Sequence, residues 1–246
     1  MNPLRRDFGR ADADALVVGW GPPVVVMVVD PVELSPAADK IGTVNHELAT
    51  LWDKEAESFD HAADHGLRDP ATRAAWRRLL IPLLPTQPQV IGDLGCGTGT
   101  LSVLLAEAGH HVHGVDFSSN MLSIAREKAR SITPAIRFTE GDAAVPPLPA
   151  QSFDVVLSRH VLWAMPDPAA ALQNWRRLLR GGGQLILIEG SWSTGAGLTA
   201  ADCTALVRQL GGQIELRSLD DPTLWGQPLT DERYLVVSHP TISTAR

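Results

Sequence analysis

Between residues 90 and 240, short continuous apolar runs alternate with stretches in which apolar side chains return every three or four positions. The runs at 90–94, 111–116, 136–139, 153–158, 185–188, 214–219 and 234–238 predict strands. Between them, Leu101, Leu104, Leu105 and Ala108 form one helical stripe that ends at Gly109. Met121, Ile124 and Ala125 make the inward face of a helix predicted over 118–130. Two more helices are predicted, over 168–180, stopping at Gly181, Gly182 and Gly183, and over 199–210. The run at 185–188 has no polar interruption, as a strand covered on both faces requires. This alternation predicts an α/β fold: a doubly wound, mostly parallel seven-stranded sheet with helices on both faces. Ligands of such sheets bind beyond the carboxyl ends of the strands, near the switch point.

Upstream the pattern is helical over 45–59 and again over 70–84, where Trp76, Leu79, Leu80 and Leu83 share a face. Pro70 suits a first helical turn, and Pro82 and Pro85 close the segment. Residues 1–40 read as an N-terminal extension. They form either a poorly ordered leader or an extra strand or dimer arm built on the apolar run at 24–29. Residues 41–246 then form one domain. Arg5, Arg6, Asp7 and Phe8 loosely resemble a twin-arginine signal, but Asp12, Asp14 and the Pro22-Pro23 break argue against export.

Net charge and cysteine usage narrow the partners. A formal charge of -7 with no basic block disfavours nucleic acid and leaves a small-molecule partner. Cys96 and Cys203 have no metal-like or disulfide spacing, which points to a reducing compartment. No apolar run approaches the roughly 20 residues needed to span a bilayer. A cytoplasmic monomer or homodimer without a membrane partner is expected.

The densest chemical signal is Val90-Ile91-Gly92-Asp93-Leu94-Gly95-Cys96-Gly97-Thr98-Gly99, a strand running into a glycine-rich turn that opens a helix. Glycines there admit positive φ and let a ligand lie against bare backbone. Thr100 stands where a dinucleotide fingerprint needs its third glycine, which disfavours a nicotinamide oxidoreductase. Asp93 faces such a ligand with a carboxylate, a poor match to pyrophosphate and a good one to an amino group. Asp116 ends the second strand, where an acid accepts from ribose hydroxyls. Asp142 and the Ala143 amide follow the third strand and suit an adenine amine and ring nitrogen. Together these groups call for a nucleoside bearing an amino-acid tail.

The run from Asp93 to Gly99, with Gly114-Val115-Asp116 and Gly141-Asp142-Ala143, resembles the class I S-adenosylmethionine-dependent methyltransferases, in their small-molecule branch. Ser152-Phe153-Asp154-Val155-Val156 and Leu179-Arg180-Gly181-Gly182-Gly183-Gln184-Leu185 match that family's fourth and fifth strand motifs, with Gly181 in place of its usual Pro. The resemblance implies a Rossmann-like fold, S-adenosyl-L-methionine as methyl donor and S-adenosyl-L-homocysteine as product. It implies that Gly95 and Gly97 touch the methionine part, Asp116 the ribose, and Phe117 and Met121 the adenine. Cys96 in the turn and Ser158 at the end of the fourth strand complete the expected cofactor set.

Methyl transfer from a sulfonium is a one-step displacement that needs alignment and exclusion of water. A base helps only where the acceptor still carries its proton. His160, just after the fourth strand, is the candidate general base, or else a cap on that strand; Arg159 is the candidate orienting residue. Trp163 is a candidate floor for the acceptor pocket. By the resemblance, Trp52, Phe59 and Asp60 lie in a lid, with Phe59 where many relatives have Tyr. His61 and His65, four apart, and the group His110, His111 and His113 read as surface imidazoles, since no carboxylate-rich motif completes either set. No metal is expected. Tyr234 reads as packing, and Trp225 as either pocket edge or packing. The expected reaction is methyl transfer to an O or N atom of a small molecule. The rival readings are a peptide or RNA methyltransferase and an S-adenosylmethionine-binding protein without transferase activity.

Overall fold

The computed structural model describes residues 38–240. The apolar run at 24–29, and with it nearly all of the predicted extension, lies outside the described residues. Three helices come first: α1 (Ala38–Phe59), α2 (Ala63–Gly66) and α3 (Pro70–Leu80). Asp69 caps α3 by accepting from the Ala71 and Thr72 amides, and Pro70 occupies the first turn, where a missing N–H costs nothing.

Strands and helices then alternate as β1 (Val90–Leu94), α4 (Thr100–Glu107), β2 (His111–Asp116), α5 (Ser119–Lys128), β3 (Arg137–Glu140) and β4 (Phe153–Arg159). The second half runs α6 (Pro168–Leu178), β5 (Leu179–Ser191), α7 (Ala200–Arg208), β6 (Gln213–Ser218) and β7 (Glu232–His239). The seven strands form one sheet in the order β3-β2-β1-β4-β5-β7-β6. All neighbours are parallel except β7, which is antiparallel to both β5 and β6. The order reverses between β1 and β4, which opens a crevice at their carboxyl ends.

Alternation along the central strands fills both faces. Ile91, Leu157 and Ile188 pack with Trp76, Leu101 and Leu104 on one side. Val156, Leu187 and Val236 pack with Leu172, Trp175 and Val207 on the other. Helix α1 is tied down by Asp53, whose Oδ1 accepts from the Ser118 hydroxyl at 2.5 Å and the Asn120 amide at 3.1 Å. Ser118 also caps α5, so one serine joins the lid to the start of that helix.

Two predicted boundaries need correction. The helix expected over 168–180 stops at Leu178, because Leu179 is fully buried in extended conformation and pairs with Phe153. The three glycines therefore lie inside β5, where register jumps from Phe153↔Leu179 to Val155↔Gln184 and Gly182 takes φ 78. They form a bulge, not a helix cap. Upstream, the helix expected to reach 84 gives way at Ile81 to a 3-10 turn around Pro82, which has no amide hydrogen to donate.

Candidate active site

The crevice at the switch point holds a cavity of about 1130 Å³, its open mouth included. One side of it is made by three turns. Gly95, Gly97 and Gly99 adopt φ 68, 53 and 72, and the Gly95 and Cys96 amides both donate to the Val115 carbonyl, at 2.8 and 3.0 Å. Glycine is required at 95 for a second reason: a Cβ there would lie 2.4 Å from Val161 Cγ2. The turn thus runs directly against the segment that follows β4.

Asp116 is held by backbone. Its Oδ2 accepts from the Gly97 amide at 2.8 Å and its Oδ1 from the Ser118 amide at 2.9 Å. Burial pushes its carboxyl up to about 6, opposed by those amides. Asp93 is likewise raised to about 6 by burial, while the Ser102 hydroxyl donates to its Oδ2 at 2.5 Å. Asp142 Oδ1 accepts from the Ala144 amide at 2.7 Å. Gly95, Cys96, Gly97, Phe117, Met121 and Ala143 line the same cavity with these three acids.

The opposite side is assembled from distant segments. Arg159 and His160 leave the end of β4, and both line the cavity. The Arg159 guanidinium donates to the Asp64 carbonyl and lies over the Trp76 ring at 5.1 Å. His160 takes φ 58, and its amide donates to the Ile188 carbonyl at 2.8 Å. Its ring stacks on Trp225 at 5.9 Å and meets Trp192 edge-on at 5.2 Å. Burial drives its pKa well below the usual value, and Arg159, His65 and Arg233 push the same way. Trp52 and Phe59 line the cavity from α1, with their rings edge to face at 6.1 Å.

Two residues expected in the site stand behind it. Ser158 is fully buried and donates to the Leu94 carbonyl at 2.9 Å, joining β4 to β1. The Trp163 indole donates to the His160 carbonyl at 3.0 Å, and its ring packs 5.5 Å from Trp192. Neither lines the cavity.

The largest correction concerns His65. The i, i+4 spacing with His61 places both on a surface only if the helix continues, and α1 ends at Phe59. The chain then turns through Gly66, where a Cβ would collide with the Asp60 carbonyl at 2.2 Å. His61 stays exposed, whereas His65 is buried, stacks on Phe59 at 4.3 Å and lines the cavity. Asp64, His65 and His160 each bring one ligand-type atom to within 4.8 Å of the others. The break between α1 and α2 is what brings His65 inward. Its burial depends on packing that periodicity does not encode.

Two supports behind the wall were also missed. Glu189 is fully buried on β5; its Oε1 accepts from the Val161 and Leu162 amides at 3.0 and 2.8 Å, and burial raises its carboxyl to about 8. Arg233 lies over Trp192 and Trp225 at 4.6 and 5.6 Å. Trp225 is buried and its indole donates to the Leu219 carbonyl, so it packs directly behind His160. The Tyr234 hydroxyl donates to the Leu198 carbonyl at 3.0 Å, which agrees with its reading as packing.

Residues 92–187 match a family model described as a methyltransferase domain. A demethylmenaquinone methyltransferase of Renibacterium salmoninarum is 31% identical over 180 residues, 73% of each chain. One from Streptomyces avermitilis is 32% identical over 166 residues, covering 67% of this chain and 69% of the relative. Among solved structures, the [4+2]-cyclase SpnF aligns with a TM-score of 0.59 at 18% identity, over 69% of this chain and 82% of its own. The magnesium protoporphyrin IX methyltransferase ChlM from Synechocystis, solved with bound S-adenosylmethionine, aligns with a TM-score of 0.55 at 24% identity, over 68% and 78%. These two likenesses speak to fold.

Proposed function

As the chain belongs to the class I S-adenosylmethionine-dependent methyltransferases, we propose that it methylates an oxygen or nitrogen of a small planar acceptor held between the lid and the segment after β4. The observation that carries this reading is the division of one cavity into an acidic side and an aromatic, guanidinium-bearing side.

The acidic side fits the methyl donor. Asp93 and Asp116 lie at the carboxyl ends of β1 and β2, Asp142 lies in the turn after β3, and Arg159 is the only Lys or Arg among the lining residues. That arrangement repels a pyrophosphate and accepts from amine, ribose and adenine donors. Asp116 would hold the ribose, Asp93 the amino group, Phe117 and Met121 the adenine faces, and Asp142 with the Ala143 amide its edge. Gly95, Cys96 and Gly97 would border the methionine part. When bound, S-adenosylmethionine supplies an electrophilic methyl on a positively charged sulfur, chemistry that needs no metal.

The other side shapes the acceptor. Arg159 orients an oxygen, His160 stays a neutral imidazole that accepts a hydrogen bond, and Trp52 and Phe59 close the roof against water. Ser158 and Trp163 act through the strand and loop they brace. The relatives' name, demethylmenaquinone methyltransferase, supports a ring compound as acceptor, and the aromatic wall suits one. No helix among the described residues is long and apolar enough to cross a membrane. We place the reaction in the cytoplasm, on a monomer or homodimer.

The test is tritiated-methyl transfer from S-adenosylmethionine to a panel of phenols, naphthols, aryl amines and reduced demethylmenaquinone, with and without EDTA. Label should reach a ring acceptor at the same rate in both. Cofactor binding with no labelled acceptor would overturn the transferase reading for such rings. Loss of activity in EDTA would overturn metal-free chemistry.

A further inference from the structure

We propose that Lys128, which does not line the cavity, holds the cofactor in place through Asp60: their buried ion pair clasps the segment after α1 onto the glycine-rich turn, and its opening sets the rate at which the cofactor leaves. The proposal rests on the reading of that turn as the seat of S-adenosylmethionine.

The clasp joins the ends of α1 and α5 to the start of α4. Asp60 follows the last residue of α1 and is 6% exposed, so its carboxylate needs partners inside the protein. Its Oδ1 accepts from the Thr98 hydroxyl at 2.6 Å, and its Oδ2 lies 2.6 Å from Nζ of Lys128, the last residue of α5. The same ammonium donates to Oγ1 of Thr98 and of Thr100, each at 2.8 Å, so all three of its hydrogens have acceptors. Thr98 and Thr100 are themselves buried. Other long-range ion pairs among the described residues, Arg73 with Glu107 and Arg180 with Asp154, are exposed.

Thr98 sits between two glycines of the turn: Gly97, whose amide donates to Asp116 at 2.8 Å, and Gly99, which precedes α4. Phe59, next to Asp60, lies over the same turn, since a Cβ on Gly97 would come 3.4 Å from its Cε1. Phe59 and Gly97 both line the cavity. Beyond Asp60 the chain folds back, and its far side is held separately. There the Arg159 guanidinium donates to the Asp64 carbonyl, and Ala63 packs so closely on Gly226 that a Cβ there would stand 2.5 Å away. Residues 59–66 therefore bridge the turn and the end of β4, and the Asp60 cluster is their polar fastening to the turn.

The consequence for the cofactor is kinetic. A ligand seated on the turn beside Phe59 leaves once that ring moves aside, and the ring follows Asp60. Burial, Arg159 and Arg68 all disfavour the Lys128 ammonium, and Asp60 is what opposes them. Pulling Asp60 away leaves a buried charge without its partner, which is costly, so release is slow while the pair is intact. An apolar side chain at 128 reverses the balance. Asp60, left with the Thr98 hydroxyl alone, gains by swinging out to water and takes Phe59 with it. Lys128 is thus a positioning residue that acts through Asp60 and Thr98.

The experiment follows release of S-adenosylhomocysteine from preformed complexes in a stopped-flow chase. Lys128→Met should speed dissociation by about tenfold or more and leave the association rate within about threefold, as loss of a hold on the bound state does. Adding Asp60→Asn to Lys128→Met removes the unpaired charge and keeps the Thr98 hydrogen bond. Dissociation in that double variant should return to within about threefold of wild type. Arg73→Gln, which breaks an exposed pair, should leave release unchanged. An unchanged rate in Lys128→Met, or no recovery in the double variant, would overturn the clasp and leave the cofactor seat standing. A wild type that does not bind S-adenosylhomocysteine would refute the seat itself, and the clasp with it. Where Lys128→Met does not fold, hydrogen exchange on the wild type decides. Relative to α7, amides of residues 60–67 should exchange about tenfold more slowly, or slower still, with S-adenosylhomocysteine bound. Equal protection of that segment in bound and free protein would overturn the proposal.

Discussion

The two sides of the cavity are built in different ways. On the β1–β3 side, the acids sit at or just beyond the carboxyl ends of their strands, and their partners come from the turns and helix starts that follow β1, β2 and β3, as with Asp93 and Ser102, Asp116 and Ser118 or Asp142 and Ala144. On the β4–β7 side, Arg159 meets the Asp64 carbonyl 95 residues away, and His160 stacks on Trp225 from the far end of the chain. The first side is built from segments close to the strands that carry it. The second depends on where α2, β5 and β7 place their ends, so it can change shape without disturbing the first. The proposed division into a donor side and an acceptor side follows that difference in construction.

The sharpest way to break the comparison is at the seam. Gly95 belongs to the glycine-rich turn after β1, yet its missing Cβ is what makes room for Val161. Gly95→Ala should therefore damage both sides together. Forcing alanine to φ 68 costs about 1–2 kcal/mol before any displacement of Val161. We expect S-adenosylmethionine affinity to fall by about tenfold or more, consistent with an added strain near 1.4 kcal/mol per decade. Calorimetry and urea denaturation check this; wild-type values in both would mean the two sides are not in rigid contact.

A smaller effect sharpens the account of the proposed acceptor side. Glu189 holds the Val161 and Leu162 amides from beneath, with its carboxyl raised by burial to about 8 from a usual 4.5. Because the folded value is the higher one, the unfolded chain releases this proton first as pH rises. The stabilisation from the protonated form is complete below 4.5 and is lost progressively up to about 8, at no more than about 1.4 kcal/mol per pH unit. Glu189→Gln keeps an acceptor for the two amides and removes the titration. Its stability should change less between pH 5 and 8 than that of the wild type, with cofactor affinity within about twofold. An identical slope in both proteins would show that Glu189 is ionised in the fold.

How much was legible follows from the same contrast. The seven strands and their order of appearance were readable because each apolar run is bounded by glycine, proline or a charged turn. Asp93, Asp116 and Asp142 could be placed at one cavity because consecutive parallel strands put their carboxyl ends together. The glycine triplet misled because a helix cap and a strand bulge both use positive φ, and only the burial of Leu179 decides between them. His65 was misread because its spacing to His61 assumes a continuous helix, and the break after Phe59 has no strong breaker in its first residues. Glu189 gave no warning at all: it follows the apolar run at 185–188, and an acid at the end of such a run reads as exposed unless the strand is known to continue past it.

The central claim is that donor and acceptor sites divide this cavity along the β1–β4 boundary, and one calorimetric comparison tests it most directly. S-adenosylmethionine is titrated into wild type, Asp116→Ala and Arg159→Gln under one set of conditions. Removing Asp116 should weaken binding by about 1.5–3 kcal/mol, the usual worth of hydrogen bonds to a charged group, while removing Arg159 should leave it within about threefold. Affinity that falls in Arg159→Gln and holds in Asp116→Ala would contradict the account.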